Sequence, residues 1–270
     1  MSHLTVQSRD GTSIAYDSAG RGPALILVGG AFSFRRYKSW MQLVELLAPR
    51  FRVISYDRRG RGDSGDAPAY AVEREIEDLD ALVEAAGGSA HVFGMSSGAV
   101  LALRAAVAGV AFERAVVYQP PFNVGANGHV PPPDFERRLG ELVAQGKRGE
   151  AASYFMREGM GAPRPFVAFL RLARPIWRNL EAVAHTLPYD LAVMGDTVHG
   201  TPLRPEPWLS IATPTLVVDG GKSPVSLRTA ADALAALLPH AERRTLAGQS
   251  HNLSMKALAP VLEEFLLDRR

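Results

Sequence analysis

Gly94-Met95-Ser96-Ser97-Gly98 follows a short apolar run, His91-Val92-Phe93, and opens a helix-like stretch, Ala99-Val100-Leu101-Ala102-Leu103-Arg104-Ala105-Ala106. Strand, Gly-x-Ser-x-Gly, then helix is the setting of a nucleophile elbow, in which the turn is so sharp that its central residue is strained. Flanking glycines leave room for close backbone approach. Ser96 is then presented at the carboxyl end of a strand, with a helix N-terminus behind it. An ordinary Gly/Ser strand-to-helix turn is the plainer alternative.

Working outward, Leu4 to Ser8 and Thr12 to Tyr16 flank Asp10-Gly11 as a hairpin. Ala24-Leu25-Ile26-Leu27-Val28 is continuously apolar, as expected of a strand buried on both faces, and it ends at Gly29-Gly30. Arg52 to Tyr56, Ala115 to Tyr118 and Pro214 to Val218 read as further strands, and Glu242 to Leu246 as a more exposed one near an edge. Helical spacing joins Trp40, Leu43, Val44 and Leu47, and again Val72, Ile76, Leu79, Val83 and Ala86. On that second helix Glu73, Glu77, Asp80 and Glu84 read as a solvated face. Helices are also expected over Ala230 to Leu238 and Ala257 to Leu267. Strands alternating with helices predict a mostly parallel sheet covered on both sides. Residues 122–207 break the rhythm: they are proline-rich, then helical, with no evident strand. We expect a core of residues 1–121 and 208–270 with a helical cap, 122–207, inserted between two strands.

A chain of 270 residues, 47% hydrophobic, can bury a sizeable core. Its net charge is +2 and no basic run suggests a nucleic-acid surface, so no nucleic-acid partner is expected. It has no cysteine, which excludes disulfides, thiolate catalysis and cysteine-ligated metals. No Walker-type loop, dinucleotide glycine pattern, metal-spaced His/Asp cluster or paired carboxylates stand out, so neither metal nor cofactor is expected. No apolar run reaches membrane-spanning length, and the first residues lack a secretory pattern, so no membrane partner and a cytoplasmic location are the expectations.

Four blocks recur in order at strand ends: Val28-Gly29-Gly30-Ala31-Phe32, Tyr56-Asp57-Arg58-Arg59-Gly60-Arg61-Gly62-Asp63-Ser64, the elbow, and Gly248-Gln249-Ser250-His251-Asn252. With them the chain resembles the α/β-hydrolase superfamily over almost its whole length. The resemblance implies an α/β-hydrolase fold and a serine nucleophile, Ser96. A serine hydroxyl needs a base to take its proton, and His251 matches the superfamily's histidine. The oxyanion formed on attack needs two convergent donors. The matching backbone N–H groups are those of Ala31 and Ser97, with Gly29 standing where many relatives carry histidine. The arginine-rich loop after Tyr56 is expected to buttress the site, with Asp57 and Arg58 in buried polar networks.

The third member of the triad departs from the pattern. Where most relatives place an aspartate after the Pro-Thr-Leu-Val strand, this chain has Gly220-Gly221-Lys222-Ser223, and Ser223 carries no charge. Three readings are open: Gln119 as a neutral orienter of His251, Asp219 as the acid through a rearranged loop, or an acid from the cap such as Asp190 or Asp196. Phe32, Phe34 and Met95 lie beside mechanistic positions, and Phe155, Phe166 and Trp177 are candidates to roof an apolar pocket. Plain packing is the alternative for each cap aromatic. The reading that results is cleavage of a small or medium apolar carboxylic ester, thioester or lactone through an acyl-enzyme, with a small-molecule substrate as partner. A cofactor-free perhydrolase, a C–C hydrolase, an acyltransferase and a weakly catalytic small-molecule binder are the rivals, and a homodimer is left open.

Overall fold

The computed structural model describes residues 2–124 and 128–268. Eight strands form one sheet: β1 (Ser2–Gln7), β2 (Ser13–Ala19), β3 (Ala24–Val28), β4 (Arg52–Tyr56), β5 (Ala90–Met95), β6 (Phe112–Tyr118), β7 (Thr215–Gly220) and β8 (Ala241–Leu246). Their spatial order is β1-β2-β4-β3-β5-β6-β7-β8. The β1–β2 hairpin joins antiparallel to β4, and the remaining pairings are parallel. β5, which carries the elbow, therefore lies near the middle of the sheet, and β8 is at the edge, as its polar sequence predicts.

The sheet is dry on both sides because its apolar runs feed two cores alternately. Leu25 and Leu27 face one core together with Phe93, Val116, Leu216 and Val218. Helices α1 (Lys38–Leu47) and α10 (Met255–Leu266) close that side, through Leu43 and Leu262 among others. Ile26 and Val28 face the other core with Val92, Val117 and Val217. There the cover is α2 (Val72–Ala85), α3 (Ser97–Val107) and α9 (Val225–Leu237). Side chains alternate with period two, so a one-residue slip in any central strand would exchange its two faces. The register is thereby fixed, and with it the level at which each strand ends beside the site.

Between β6 and β7 the described residues contain no strand. They form α4 (Phe135–Ala144), α5 (Arg148–Tyr154), a π-helical turn Phe155–Gly159, α6 (Arg164–Leu172), α7 (Arg174–Val183) and α8 (Leu187–Met194). These helices have their own core, which includes Phe135, Leu139, Phe155, Val167, Trp177 and Leu187.

A buried ionic cluster ties this helical layer to the sheet. Arg58 donates from Nε and Nη2 to the Glu75 carboxylate of α2, each at 2.6 Å, and from Nη1 to Asp190 of α8 at 2.6 Å. Arg61 donates to the second Asp190 oxygen at 2.6 Å and to Thr186 Oγ1 at 2.9 Å. Burial disfavours the Asp190 charge, but the Arg61 and Arg58 guanidiniums outweigh it and hold the carboxyl below its ordinary value. Arg59 pairs with Asp78 of α2 in the same way, at 2.6 and 2.9 Å. The acidic side of α2 is thus divided. Glu73 and Glu84 are exposed, as a solvated face requires, whereas Glu75 and Asp78 are buried partners of the arginine loop.

Removing one member of a buried ion cluster strands the others, at a cost of about 3–5 kcal/mol. Asp190→Ala is therefore expected to lower unfolding free energy by that order in a denaturant titration followed by circular dichroism. Glu73→Gln, on the solvated side of α2, is expected to stay within about 0.5 kcal/mol of the parent. Equal effects of the two would show that the cluster does not anchor the helical layer.

Candidate active site

The elbow has the geometry its sequence predicts. Ser96 sits between β5 and α3 with φ 57° and ψ −130°, a region that side chains rarely adopt. Its amide donates to Tyr118 O on the neighbouring β6 at 2.9 Å, which pins the turn to the sheet. The glycines are required by space. A Cβ on Gly94 would lie 2.6 Å from Ala99 Cα, and one on Gly98 would lie 2.7 Å from the Gly29 backbone. Ser96 is half-buried and opens on a cavity of about 330 Å³, whose walls include Ala31, Ser97, Phe122, Phe155, Met160 and His251.

His251 stands in the loop between β8 and α10. That loop is fastened to the strand ends: Tyr118 Oη donates to Ser250 O at 2.6 Å, and Lys222 N donates to Gln249 O at 2.8 Å. A Cβ at Gly220 would lie 2.5 Å from Gln249 O, so only glycine lets the two backbones approach this closely. The ring Nδ1 is 2.8 Å from Gln119 Oε1. An amide oxygen can only accept, so Nδ1 carries the proton and Nε2 keeps its lone pair. Gln119 is fully buried, with φ 48°, and its Nε2 donates to Ser223 Oγ. The two places where the resemblance puts a carboxylate, the end of β6 and the loop after β7, therefore meet. Both are occupied by neutral groups bonded to each other. With no anion against the ring, burial alone acts on it, and the His251 pKa is pushed below its ordinary value.

Asp219 does not fill that place. Its carboxylate pairs with Arg243 of β8 at 2.8 Å, and Arg243 also reaches Asp232 of α9. Alternation along β7 turns Asp219 toward the α9 side of the sheet, as it does Val217. Asp190 lines the cavity but is occupied by Arg58, Arg61 and a hydrogen bond from Ser97 Oγ at 2.7 Å.

Ala31 and Ser97 both border the cavity beside Ser96. Arg61 Nη1 donates to Gly30 O at 2.6 Å. In a trans peptide the carbonyl and the following N–H point oppositely, so this bond aims the Ala31 N–H away from the arginine. Ser97 is fixed through its side chain by Asp190, and Asp190 is fixed by Arg61. One buried carboxylate thus holds the Ser97 side chain directly and, through Arg61, the loop that carries Ala31. The sequence offers Asp190 only as a possible acid for His251 and not as this anchor, although a lone acid on the apolar helix Leu187-Pro188-Tyr189-Asp190-Leu191-Ala192-Val193-Met194 is a signal that some cation must meet it.

Five expected lining residues lie elsewhere; Phe34 packs edge-on against Tyr37 at 5.8 Å. Trp177 is buried in the core of the helical layer, its indole N–H donating to Glu181 at 2.7 Å. Phe32, at φ 62°, packs its ring edge-on against Phe155 at 5.7 Å, behind the cavity wall. Met95 packs against the core beneath the sheet. Among the other cap aromatics, Phe155 lines the cavity, while Phe166 is exposed on the outside. Among the described residues no group of three or more His, Asp or Glu side chains is placed to hold a metal ion.

Comparison with known proteins gives the family. Residues 25–263 match the Alpha/beta hydrolase family. The structure of an alpha/beta hydrolase from Sphaerobacter thermophilus is 52% identical, with a TM-score of 0.91 over 97% of this chain and 100% of that one. A bromoperoxidase from Bacillus anthracis shares the fold, with a TM-score of 0.74 at 20% identity over 99% of this chain and 100% of the other. An N-formylmaleamate deformylase of Pseudomonas putida is 38% identical over 106 residues, 38% of this chain and 39% of that protein. The curated relatives are matched over only part of their length, 35% for a mycobacterial one. With the family matched from β3 into the last helix, the chain belongs to the α/β-hydrolase family.

Proposed function

We propose that the protein is a serine hydrolase that cleaves a small or medium apolar carboxylic ester, thioester or lactone, with Ser96 as nucleophile and His251 as base. The observation that carries this reading is the His251–Gln119 hydrogen bond, which fixes the imidazole with its basic nitrogen free in the cavity that Ser96 shares. Ser96 Oγ attacks the acyl carbon while His251 Nε2 takes the hydroxyl proton. The carbonyl oxygen becomes an oxyanion, met by the Ala31 and Ser97 N–H groups, each worth about 10² to 10³ in rate. The carbonyl re-forms, the bond to the leaving group breaks, and that group takes the proton from His251. Water then attacks the acyl-enzyme, gives a proton to His251, and releases the acid as Ser96 recovers its own. The cavity volume and its apolar walls support a substrate of modest size.

Gln119 makes this triad electrically weak. In serine proteases, replacing the acid by its amide costs about 10⁴, a loss that includes the wrong imidazole tautomer. Here the amide oxygen faces Nδ1, so the tautomer is the productive one and only the stabilising charge is missing. This fits a substrate with a good leaving group. The same neutral pairing favours a second reading, a ligand-binding protein of low activity. Fluorophosphonate labelling separates the two, because an activated Ser96 is modified within minutes and an inactive pocket is not.

Ser96→Ala is expected to abolish hydrolysis of a p-nitrophenyl ester while the circular dichroism spectrum stays unchanged. Retained turnover would reject the assignment.

The pH profile tests the neutral orienter. Only unprotonated His251 can act as base, so kcat/KM falls as pH drops through its pKa. Burial sets that pKa below the ordinary histidine value, which places the acid limb lower than about 6.5. Gln119→Glu puts an anion at Nδ1, raises the pKa, and is expected to move the limb to higher pH while increasing the plateau rate at least about tenfold. Ser223 can turn its hydroxyl to donate to the new carboxylate, so the fold has room for the change. An unmoved limb would show that residue 119 does not govern the ring.

A further inference from the structure

The cap carries a face that the cavity does not use. On α6 and α7, Val167 and Trp177 turn into the cap core. Elsewhere on the same helices Phe166, Phe169, Leu172 and Ile176 are exposed, Phe169 by 67% and Leu172 by 79%. Met160, also exposed, borders the cavity just before α6. A surface helix ordinarily presents polar groups to water, and clustered exposed apolar side chains mark a contact surface.

Charge selects what covers it. Residues 159–180 contain Arg164, Arg171, Arg174 and Arg178 and neither Asp nor Glu. All four arginines are exposed. Arg171 lies over the Trp177 ring, 5.6 Å from its centroid. Among the described residues Arg164, Arg174 and Arg178 have no carboxylate partner. This contrasts with α4, where Arg137 and Arg138 both reach Glu141. A second copy seated through a two-fold axis would set these four cations against the same four, and facing like charges oppose association. Among the described residues no helix is long and apolar enough to cross a membrane. Short helices that interleave aromatic and aliphatic side chains with unpaired arginines suit the plane where acyl chains meet anionic headgroups.

We propose that the α6–α7 hairpin docks on the surface of an anionic phospholipid membrane. Phe166, Phe169, Leu172 and Ile176 enter the boundary between headgroups and acyl chains, and the arginines meet the phosphates. Docked this way, the cavity rim at Met160 lies toward the lipid. The proposal rests on this surface alone and not on the catalytic assignment.

Vesicle co-sedimentation of the full chain tests it. The protein is expected to bind vesicles of phosphatidylcholine and phosphatidylglycerol in equal parts, and to bind pure phosphatidylcholine at least about tenfold more weakly. Raising salt to about 0.5 M should release it, since the screening length then falls to a few ångströms. Arg174→Gln with Arg178→Gln should remove the preference for anionic vesicles. Phe169→Ser with Leu172→Ser should abolish binding to both vesicle types while turnover of a soluble p-nitrophenyl ester is unchanged. Ser96→Ala should bind as the parent does, which keeps this result separate from the catalytic one. Failure of the parent protein to sediment with anionic vesicles would overturn the proposal, as would double variants that bind like it. Light scattering that finds a dimer reduced to monomer by Phe169→Ser with Leu172→Ser, without vesicle binding, would assign the face to self-association instead.

Discussion

The backbone of Ser96 is the constraint on which the site depends. A non-glycine residue at φ 57° and ψ −130° costs on the order of 1–3 kcal/mol. It persists because its surroundings allow no relaxed path. β5 is held between β3 and β6 in the interior of the sheet, and the Ser96 amide is bound to Tyr118 O. α3 begins immediately afterwards and packs against β5 so closely that Gly94 and Gly98 tolerate no side chain. The loop after β3, which carries a proposed oxyanion donor, is built against the same turn: a Cβ on Gly30 would lie 2.8 Å from Met95 O and 2.9 Å from Ser96 Cβ. The elbow, the first strand-end loop and the N-terminus of α3 are thus one packed unit. Arg61 and Asp190 hold it from behind, through the Gly30 carbonyl and the Ser97 hydroxyl.

That arrangement separates two tasks a carboxylate usually performs together. Orientation of the imidazole needs only an acceptor at Nδ1, and Gln119 supplies one at 2.8 Å. Stabilisation of the imidazolium needs negative charge, and Gln119 and Ser223 supply none. The carboxylates near the site are committed elsewhere, Asp190 to two arginines and Asp219 to Arg243. The ring is therefore held by geometry in the tautomer that the proposed mechanism requires, while its burial works against the charged state through which that mechanism would pass.

The sheet was legible in the sequence because parallel strands buried on both faces leave continuous apolar runs such as Ala24 to Val28, and the elbow because sterics dictate its glycines. Gln119, Ser223 and His251 were legible as positions, from the strand ends they follow. What the sequence hid was orientation. Whether Asp219 faces His251 or Arg243 is a matter of strand alternation and of a partner on β8, 24 residues away. For Trp177 the sequence leaves both pocket lining and core packing open, because an aromatic on a helix can serve either purpose; Glu181, one helical turn on, satisfies its indole and lets it remain in the core. Phe32 and Met95 adjoin the site in sequence, yet neighbouring residues on a turn or strand point apart. Asp190 was visible only as a lone acid, since its arginine partners are about 130 residues earlier in the chain.

The distribution of strain bears on whether the neutral orienter is a decayed acid site or a working one. Among the described residues, the non-glycine positions with left-handed φ are Phe32, Ser96 and Gln119. Each follows the carboxyl end of a central strand, β3, β5 and β6 respectively. Conformations of this kind survive where surrounding contacts over-determine them. Relief of the strain at Gln119, with φ 48°, would be open to a residue that nothing held in place. Instead Gln119 is fully buried and both ends of its amide are engaged, one by His251 and the other by Ser223. Substitution of a neutral side chain into a carboxylate's place leaves an unpaired group unless its neighbours change with it, and here Ser223 provides the partner that the amide nitrogen needs. The matched pair, held under strain beside a strained serine, supports the proposed reading of a site arranged for chemistry with a neutral third member.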